Sequence, residues 1–324
     1  MEAIHPKNVF SKLGFAQTAG IAASIIVGRF VLTPLVAESK LPNLFNLIGG
    51  SGLLLLIYVP QLAYLLAFGL MVRSMPREDW QKESLGFKTL AEIFMMMYVV
   101  SSLLNQIGSM ITKASPVGEN FQLDLISKME STKLPVAIMI PVVIGPILEE
   151  LIFRKLMLDR TRRFGEKTAV IFSAICFGLF HGNLTQFLYA GCVGLFLGYV
   201  YCKTGKVIYT MIMHMLLNGM SSVIVLLLPS FESLGSDAAP EAVALPFLGL
   251  VFILLLIGVM SVMGVILLVR WIKQKRFILD DSMPECIPAD EVLKTVYLNP
   301  GVILLFAITV FEITADLLNL TLFP

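Results

Sequence analysis

Long apolar stretches alternate with short polar ones along most of the chain. Nine stretches approach the roughly 20 residues that a helix needs to cross the hydrocarbon core of a bilayer, although the fifth is shorter. The fifth and sixth meet at Gly182 and Asn183, which predicts a tight helical hairpin. The pattern predicts an all-α polytopic membrane protein, a bundle of about eight to nine transmembrane helices. The stretches cover residues 14–37, 46–72, 89–112, 134–155, 168–182, 184–202, 207–230, 244–269 and 299–322.

Composition agrees with this pattern. The 324 residues are 57% hydrophobic and 15% charged, whereas soluble domains are about 45–50% apolar and about 25% charged. A net charge of +1 gives no reason to expect nucleic acid as a partner. The four cysteines form no CxxC pair, so we expect them to pack in the bundle rather than to bind metal or form disulfides.

Positive charges cluster in alternate loops and therefore on one side of the predicted bundle. Of the 24 Lys and Arg residues, 18 fall on the side that includes the N-terminus and the run 155–167, which we interpret as a solvated loop. The positive-inside rule then predicts a multi-pass protein of the cell membrane with a cytoplasmic N-terminus. With nine spans, the C-terminus is expected outside.

Three charged residues interrupt the fourth apolar stretch. An ionised group inside a bilayer costs several kcal/mol, so such groups face a protein interior or a wet cavity and are usually functional. Residues four apart share a helix face, so Glu150 and Arg154 can pair, which leaves Glu149 available for chemistry. The alternative is that both glutamates are buried ion-pair partners that hold the bundle together.

Two of the three histidines lie inside apolar stretches. His181 follows Phe177 by four residues, and His214 precedes Asn218 by four, so each pair shares a helix face. An imidazole beside a carboxamide suits an oxyanion stabilised by hydrogen bonds, although interhelical hydrogen bonds are the commoner reason for such residues in membranes. Helical rise places Glu150, His181 and His214 at similar depths. We therefore predict one intramembrane polar site.

These spacings resemble the three motifs of one protein family. Glu149-Glu150-x3-Arg154, Phe177-x3-His181 and His214-x3-Asn218 resemble the EExxxR, FxxxH and HxxxN motifs of the CPBP family. These are the CAAX prenyl protease type II or Abi intramembrane endopeptidases. The resemblance divides the chain into N-terminal transmembrane helices with an outer amphipathic loop (1–133), a catalytic core (134–230) and C-terminal transmembrane helices (231–324).

The resemblance implies an endopeptidase that hydrolyses a hydrophobic peptide, either lipid-modified or of leader type, within the lipid bilayer. Glu149 would be the general base, and His181 would orient and polarise the attacking water. His214 and Asn218 would stabilise the oxyanion, while Glu150 and Arg154 would support the site through their ion pair.

Alternatives remain open at this point. We expect no cofactor, but zinc held by Glu149, His181 and His214 is the alternative, because a catalytic zinc site has three protein ligands and a water. A membrane immunity or scaffold protein would bind a peptide or partner without cleaving it. A secondary transporter would use the buried carboxylates for proton coupling, but we see no inverted repeat.

A second set of charges lies at the two ends of the chain. Arg29 falls in the first apolar stretch, and Glu312 and Asp316 fall in the ninth. Their depths, estimated from helical rise, are similar. We predict that Arg29 pairs with one or both acids and so joins the first helix to the last.

Overall fold

The structure, a computed structural model, describes residues 5–32, 51–78, 84–113, 140–232 and 240–318. Within these ranges, the described part of each of the nine predicted stretches is largely helical, and there is no strand. The all-α prediction is therefore confirmed, whereas the outer loop up to residue 133 lies almost wholly outside the described residues. The longer helices of the described residues are α1 (Pro6–Leu32), α2 (Ser51–Val72), α3 (Phe87–Lys113), α4 (140–161), α5 (Glu166–Leu179), α6 (Leu184–Thr204), α7 (Val207–Glu232), α8 (Pro240–Lys273) and α9 (Pro300–Leu317). A short π-helical segment, Leu293–Tyr297, precedes α9.

Several of these helices have the length and apolar character needed to span a membrane. Within the described residues, five qualify: α1, α3, α6, the Phe247–Lys273 part of α8, and α9. Shorter apolar helical segments cover Tyr58–Val72 and Val207–Val223. The protein is thus a multi-pass membrane protein.

The predicted hairpin between α5 and α6 is confirmed, and local signals in the sequence explain it. Gly182 has a φ of 68°, a left-handed conformation that glycine adopts without steric cost. The next residue, Asn183, accepts a hydrogen bond from the backbone N–H of Gln186 at 2.9 Å. This side-chain cap satisfies one of the free donors at the start of α6. The chain therefore reverses within four residues.

Small residues let α5 and α6 approach closely. A Cβ on Gly178 would lie 2.7 Å from the Phe187 carbonyl oxygen, and one on Gly194 would lie 2.9 Å from the Cα of Ala174. Larger side chains at either glycine would push the helices apart, as is usual where membrane helices pack through small residues. The hairpin thereby holds the end of α5 in a fixed position.

The first and last described helices pack together through glycines. A Cβ on Gly14 or Gly301 would overlap the backbone of the opposite helix. The ion pairs observed among the described residues do not include one between Arg29 and Glu312 or Asp316, so the structure gives that prediction no support. The depth estimate assumed a regular α-helix, whereas α1 continues as π-helical turns over Ile26–Leu32. A π-turn changes the direction in which Arg29 projects.

Residues 155–167 are not the solvated loop that their charge suggested. Helix α4 continues to Thr161 and is followed by a short 3₁₀ turn. Arg160 is 5% exposed and donates from Nε to the Val72 carbonyl at 3.0 Å, and Tyr201 donates its hydroxyl to Asp159 at 2.7 Å. These partners allow the charges to be buried, which the count of positive residues did not reveal.

A buried polar cluster joins α3 to α8. The Glu92 carboxylate accepts hydrogen bonds from Trp271 Nε1 at 2.9 Å and from Arg276 at 3.2 Å. A Cβ on Gly264 would overlap the Met95 carbonyl oxygen, so the two backbones are in direct contact. This contact fixes α8 against the bundle at a distance from the three motifs.

Candidate active site

The carboxylates of the first motif lie on an irregular helix. In α4, the α-helical stretch Gly145–Glu150 lies between π-helical turns over Ile140–Ile144 and Leu151–Leu158. Pro146 lacks a backbone N–H and cannot take part in a regular hydrogen-bond ladder. Single π-turns within α-helices are frequent at functional sites.

Glu150 and Arg154 form the ion pair that their spacing predicts. Arg154 Nε donates to Glu150 Oε2 at 2.9 Å, and both side chains are fully buried. A second guanidinium nitrogen of Arg154 donates to Ser173 Oγ at 3.1 Å, and Ser173 donates to the Phe153 carbonyl at 2.9 Å. A buried ion pair needs such additional hydrogen bonds to offset desolvation. The confirmed pair is therefore anchored on both α4 and α5.

His214 contacts both glutamates. Its Nδ1 lies 3.1 Å from Glu150 Oε1, a hydrogen-bond distance, and its Nε2 lies 3.7 Å from Glu149 Oε2. The Glu150 carboxylate is held by Arg154 and can only accept, so Nδ1 of His214 must carry the proton in this hydrogen bond. Glu150 consequently fixes the orientation of the imidazole, with Nε2 directed at Glu149.

Glu149 differs from its neighbour in accessibility and in hydrogen bonding. It is 8% exposed, whereas Glu150 is 0% exposed. Among the described residues, its carboxylate accepts no hydrogen bond, and its ion-pair partner is His214 at 3.7 Å. Because its oxygens are not already hydrogen-bonded, they can accept a proton from a water molecule that enters the site.

The second motif lies against the same histidine. The Phe177 ring has centroid distances of 5.1 Å to His181 and 5.7 Å to His214, both edge-on. Nδ1 of His181 is 2.9 Å from the Phe177 carbonyl oxygen, so this nitrogen carries the proton and Nε2 is left to accept. Phe177 thus contacts both imidazoles, and its carbonyl fixes the tautomer of His181.

Asn218 lies one turn after His214 on α7 and contacts α4 at a different turn from the glutamates. Its Nδ2 donates to the Pro141 carbonyl oxygen at 3.0 Å. In a π-helical turn that carbonyl would accept from residue 146, which is a proline without an N–H. One of the two N–H groups of Asn218 therefore replaces a missing backbone donor, while the other remains for a further hydrogen bond.

The zinc alternative requires Glu149, His181 and His214 to converge on one point. One carboxylate and two imidazoles with an available Nε2 are suitable ligands chemically. Within the residues that the structure describes, however, no three His, Cys, Asp or Glu side chains are grouped so that they could hold a metal ion.

Two residues that contact the site, Ser173 and Tyr58, lie outside the three sequence motifs. Ser173 precedes Phe177 by four residues, so helical spacing placed it on the motif face of α5 and could have identified it. Tyr58 lies on α2, outside the motif region, and its ring approaches Gly145. Nothing in the sequence around Tyr58 indicates that contact.

Comparisons with known proteins agree with the motifs. Residues 131–220, which contain all three motifs, match the family model described as "Type II CAAX prenyl endopeptidase Rce1-like". The chain is 28% identical over 168 residues to a protein of Bacillus subtilis (strain 168) named "Putative membrane peptidase YdiL", and the match covers 48% of this chain. The matched region covers 66% of the length of that relative, slightly less than two thirds. No solved structure matches the chain. Both matches agree with the resemblance of the three motifs to those of the CPBP family.

Proposed function

We propose that the protein is an intramembrane endopeptidase that hydrolyses a peptide bond with a water molecule activated by Glu149. The observation that carries this proposal is the difference between the two adjacent glutamates. Glu150 is committed to Arg154 and His214, whereas Glu149 is free to accept a proton and faces the same imidazole. The match of residues 131–220 to the endopeptidase family model and the likeness to a protein named as a putative membrane peptidase support the same reaction class.

In the proposed reaction, Glu149 removes a proton from water as the water oxygen attacks the scissile carbonyl carbon. His181 orients the water, since its Nε2 can accept a hydrogen bond while Nδ1 is bound to the Phe177 carbonyl. Collapse of the tetrahedral intermediate breaks the C–N bond, and the proton held by Glu149 passes to the departing amine.

His214 and the second N–H of Asn218 are the proposed donors to the oxyanion. A protonated imidazole can donate through Nδ1 to Glu150 and through Nε2 to the intermediate at the same time. The Nδ1 contact with Glu150 orients the ring, and Arg154 holds the carboxylate in place. Glu150 and Arg154 are therefore positioning residues in this scheme.

The proposed substrate is a hydrophobic peptide or membrane-protein segment, lipid-modified or of leader type. The apolar surroundings of the site support this choice, because a polar segment would lose its hydration on entering the bilayer. We also propose that the N-terminus is cytoplasmic, since most Lys and Arg residues fall on its side of the predicted spans.

The test compares peptides that accumulate in cells carrying the wild type with those carrying Glu149→Gln. Mass spectrometry of membrane and secreted peptides can detect an uncut precursor even when the substrate is unidentified. We expect at least one such precursor to accumulate with Glu149→Gln, at unchanged protein abundance. Equal peptide profiles and an unchanged phenotype would contradict peptidase activity and favour the scaffold that binds without cleaving.

A further inference from the structure

A small space beside Gly145 is shared by two oxygens from different helices. A Cβ on Gly145 would lie 3.7 Å from the Tyr58 hydroxyl oxygen and 3.8 Å from Glu149 Oε1. Both oxygens thus lie within 4 Å of one point that glycine leaves empty. Tyr58 belongs to α2, and Glu149 to α4, so the space is where these helices meet.

Both oxygens are available to a bound molecule. In the part of the chain that the structure describes, neither the Tyr58 hydroxyl nor the Glu149 carboxylate forms a hydrogen bond. Tyr58 is half-buried and within electrostatic range of Glu149. A tyrosine hydroxyl is usually hydrogen-bonded when buried. This hydroxyl therefore has a proton to donate into the space where Glu149 would activate water.

The other proposed oxyanion donors are already partly engaged. Asn218 already donates one of its N–H groups to the Pro141 carbonyl. His214 has a glutamate oxygen near each ring nitrogen, so its Nε2 is directed at Glu149 before any substrate enters. A donor that has no competing protein partner would be better prepared for the oxyanion.

The geometry points to Tyr58 as a further catalytic residue, whose hydroxyl donates a hydrogen bond to the oxyanion formed when water attacks the scissile carbonyl. This inference rests on the proposed peptidase function. As the new C–O bond forms, the water proton moves to Glu149 Oε1 and the carbonyl π electrons move onto the carbonyl oxygen. Tyr58 keeps its own proton throughout and only shares it in the hydrogen bond.

The decisive variant is Tyr58→Phe, which removes the hydroxyl and retains the ring against Gly145. Loss of one oxyanion donor lowers kcat by about 100- to 1,000-fold in other hydrolases, and we expect a decrease of about that size with KM nearly unchanged. Tyr64→Phe is the matched control on the same helix. Its hydroxyl is buried without a hydrogen-bond partner among the described residues, so removing it costs no interaction seen there.

Gly145→Ala provides a second test that does not depend on the tyrosine. The added methyl group would be 3.4 Å from Tyr58 Cε1, an ordinary van der Waals contact, so the protein should fold. It would nevertheless fill the space between the two oxygens and exclude water or the carbonyl group. We expect activity to fall while thermal stability is unchanged or increased, because alanine favours a helix over glycine.

The experiment measures the precursor that accumulates with Glu149→Gln, by pulse-chase in cells and then by kinetics in liposomes using that purified precursor. Slow cleavage by Tyr58→Phe, beside normal cleavage by Tyr64→Phe, supports the inference. Wild-type kcat for Tyr58→Phe, with Glu149→Gln inactive, overturns the role of Tyr58 and leaves the peptidase proposal intact. A higher KM at unchanged kcat would also overturn it, since that result indicates substrate binding. No precursor with Glu149→Gln overturns both proposals.

Discussion

Neutralising Glu150 should mainly affect the stability of the protein, whereas neutralising Glu149 should mainly affect its activity. Glu150→Gln keeps the side-chain shape but removes the charge that compensates Arg154, and both side chains are fully buried. Glu149→Gln removes a carboxylate that accepts no hydrogen bond within the described residues and contacts His214 only at 3.7 Å. The first change should destabilise the protein, whereas the second should abolish cleavage with little effect on folding.

The magnitude follows from the burial of the pair. Removing one partner of a buried ion pair costs about 3–5 kcal/mol, because the other charge stays buried and uncompensated. At about 2 °C for each kcal/mol, suited to a large domain, Glu150→Gln should lower the Tm by about 6–10 °C. Glu149→Gln should shift the Tm by less than about 2 °C, since its carboxylate has no hydrogen-bond partner to lose among the described residues.

Thermal unfolding in detergent, followed by tryptophan fluorescence, compares the two variants under identical conditions. Replacing both partners by apolar residues, Glu150→Leu with Arg154→Met, should recover stability relative to Arg154→Met alone, because no unpaired charge remains. Equal Tm values for Glu149→Gln and Glu150→Gln, or a lower value for Glu149→Gln, would refute the division of roles between the glutamates.

Three further predictions concern packing, the proline carbonyl and metal. Gly301→Ala should lower the Tm, because its Cβ would overlap the Ser11 carbonyl. Gly258→Ala, which meets no described residue within 4 Å, should leave the Tm unchanged, and similar values for the two would contradict the close contact. Asn218→Ala should cost about 1–3 kcal/mol in the free energy of unfolding by leaving the Pro141 carbonyl unsatisfied, and a thermal shift measurement with no change would disprove this. EDTA treatment should leave precursor cleavage intact, while a loss of activity that zinc restores would favour the zinc alternative.

Much of the fold followed from the sequence because each relevant signal was local. Apolar length predicted the long helices of the described residues, and Gly182 with Asn183 predicted the hairpin, since turn and cap residues act within a few positions. The spacing of Glu150 and Arg154 predicted their ion pair because both residues belong to one helix. None of these predictions depended on how separate helices are rotated.

Contacts between helices were harder to predict. Helical rise estimates the depth of a residue but not the direction in which it projects, so it could not show that His214 contacts both glutamates. The same limitation applies to the pairing predicted between Arg29 and the acids of α9. Tyr58 resembles any tyrosine in an apolar helix, and only the position of α2 beside Gly145 distinguishes it.

The two contacts between α7 and α4 have a consequence for the timing of substrate entry. His214 and Asn218 lie one turn apart, and each is bonded to a different turn of α4. If a peptide entered by separating these helices, it would pull His214 from the glutamates and release the Pro141 carbonyl in the same movement. The open molecule would then be inert, and hydrolysis would begin only after the helices had closed around the peptide. Such an arrangement would protect other membrane peptides that enter briefly and leave before closure.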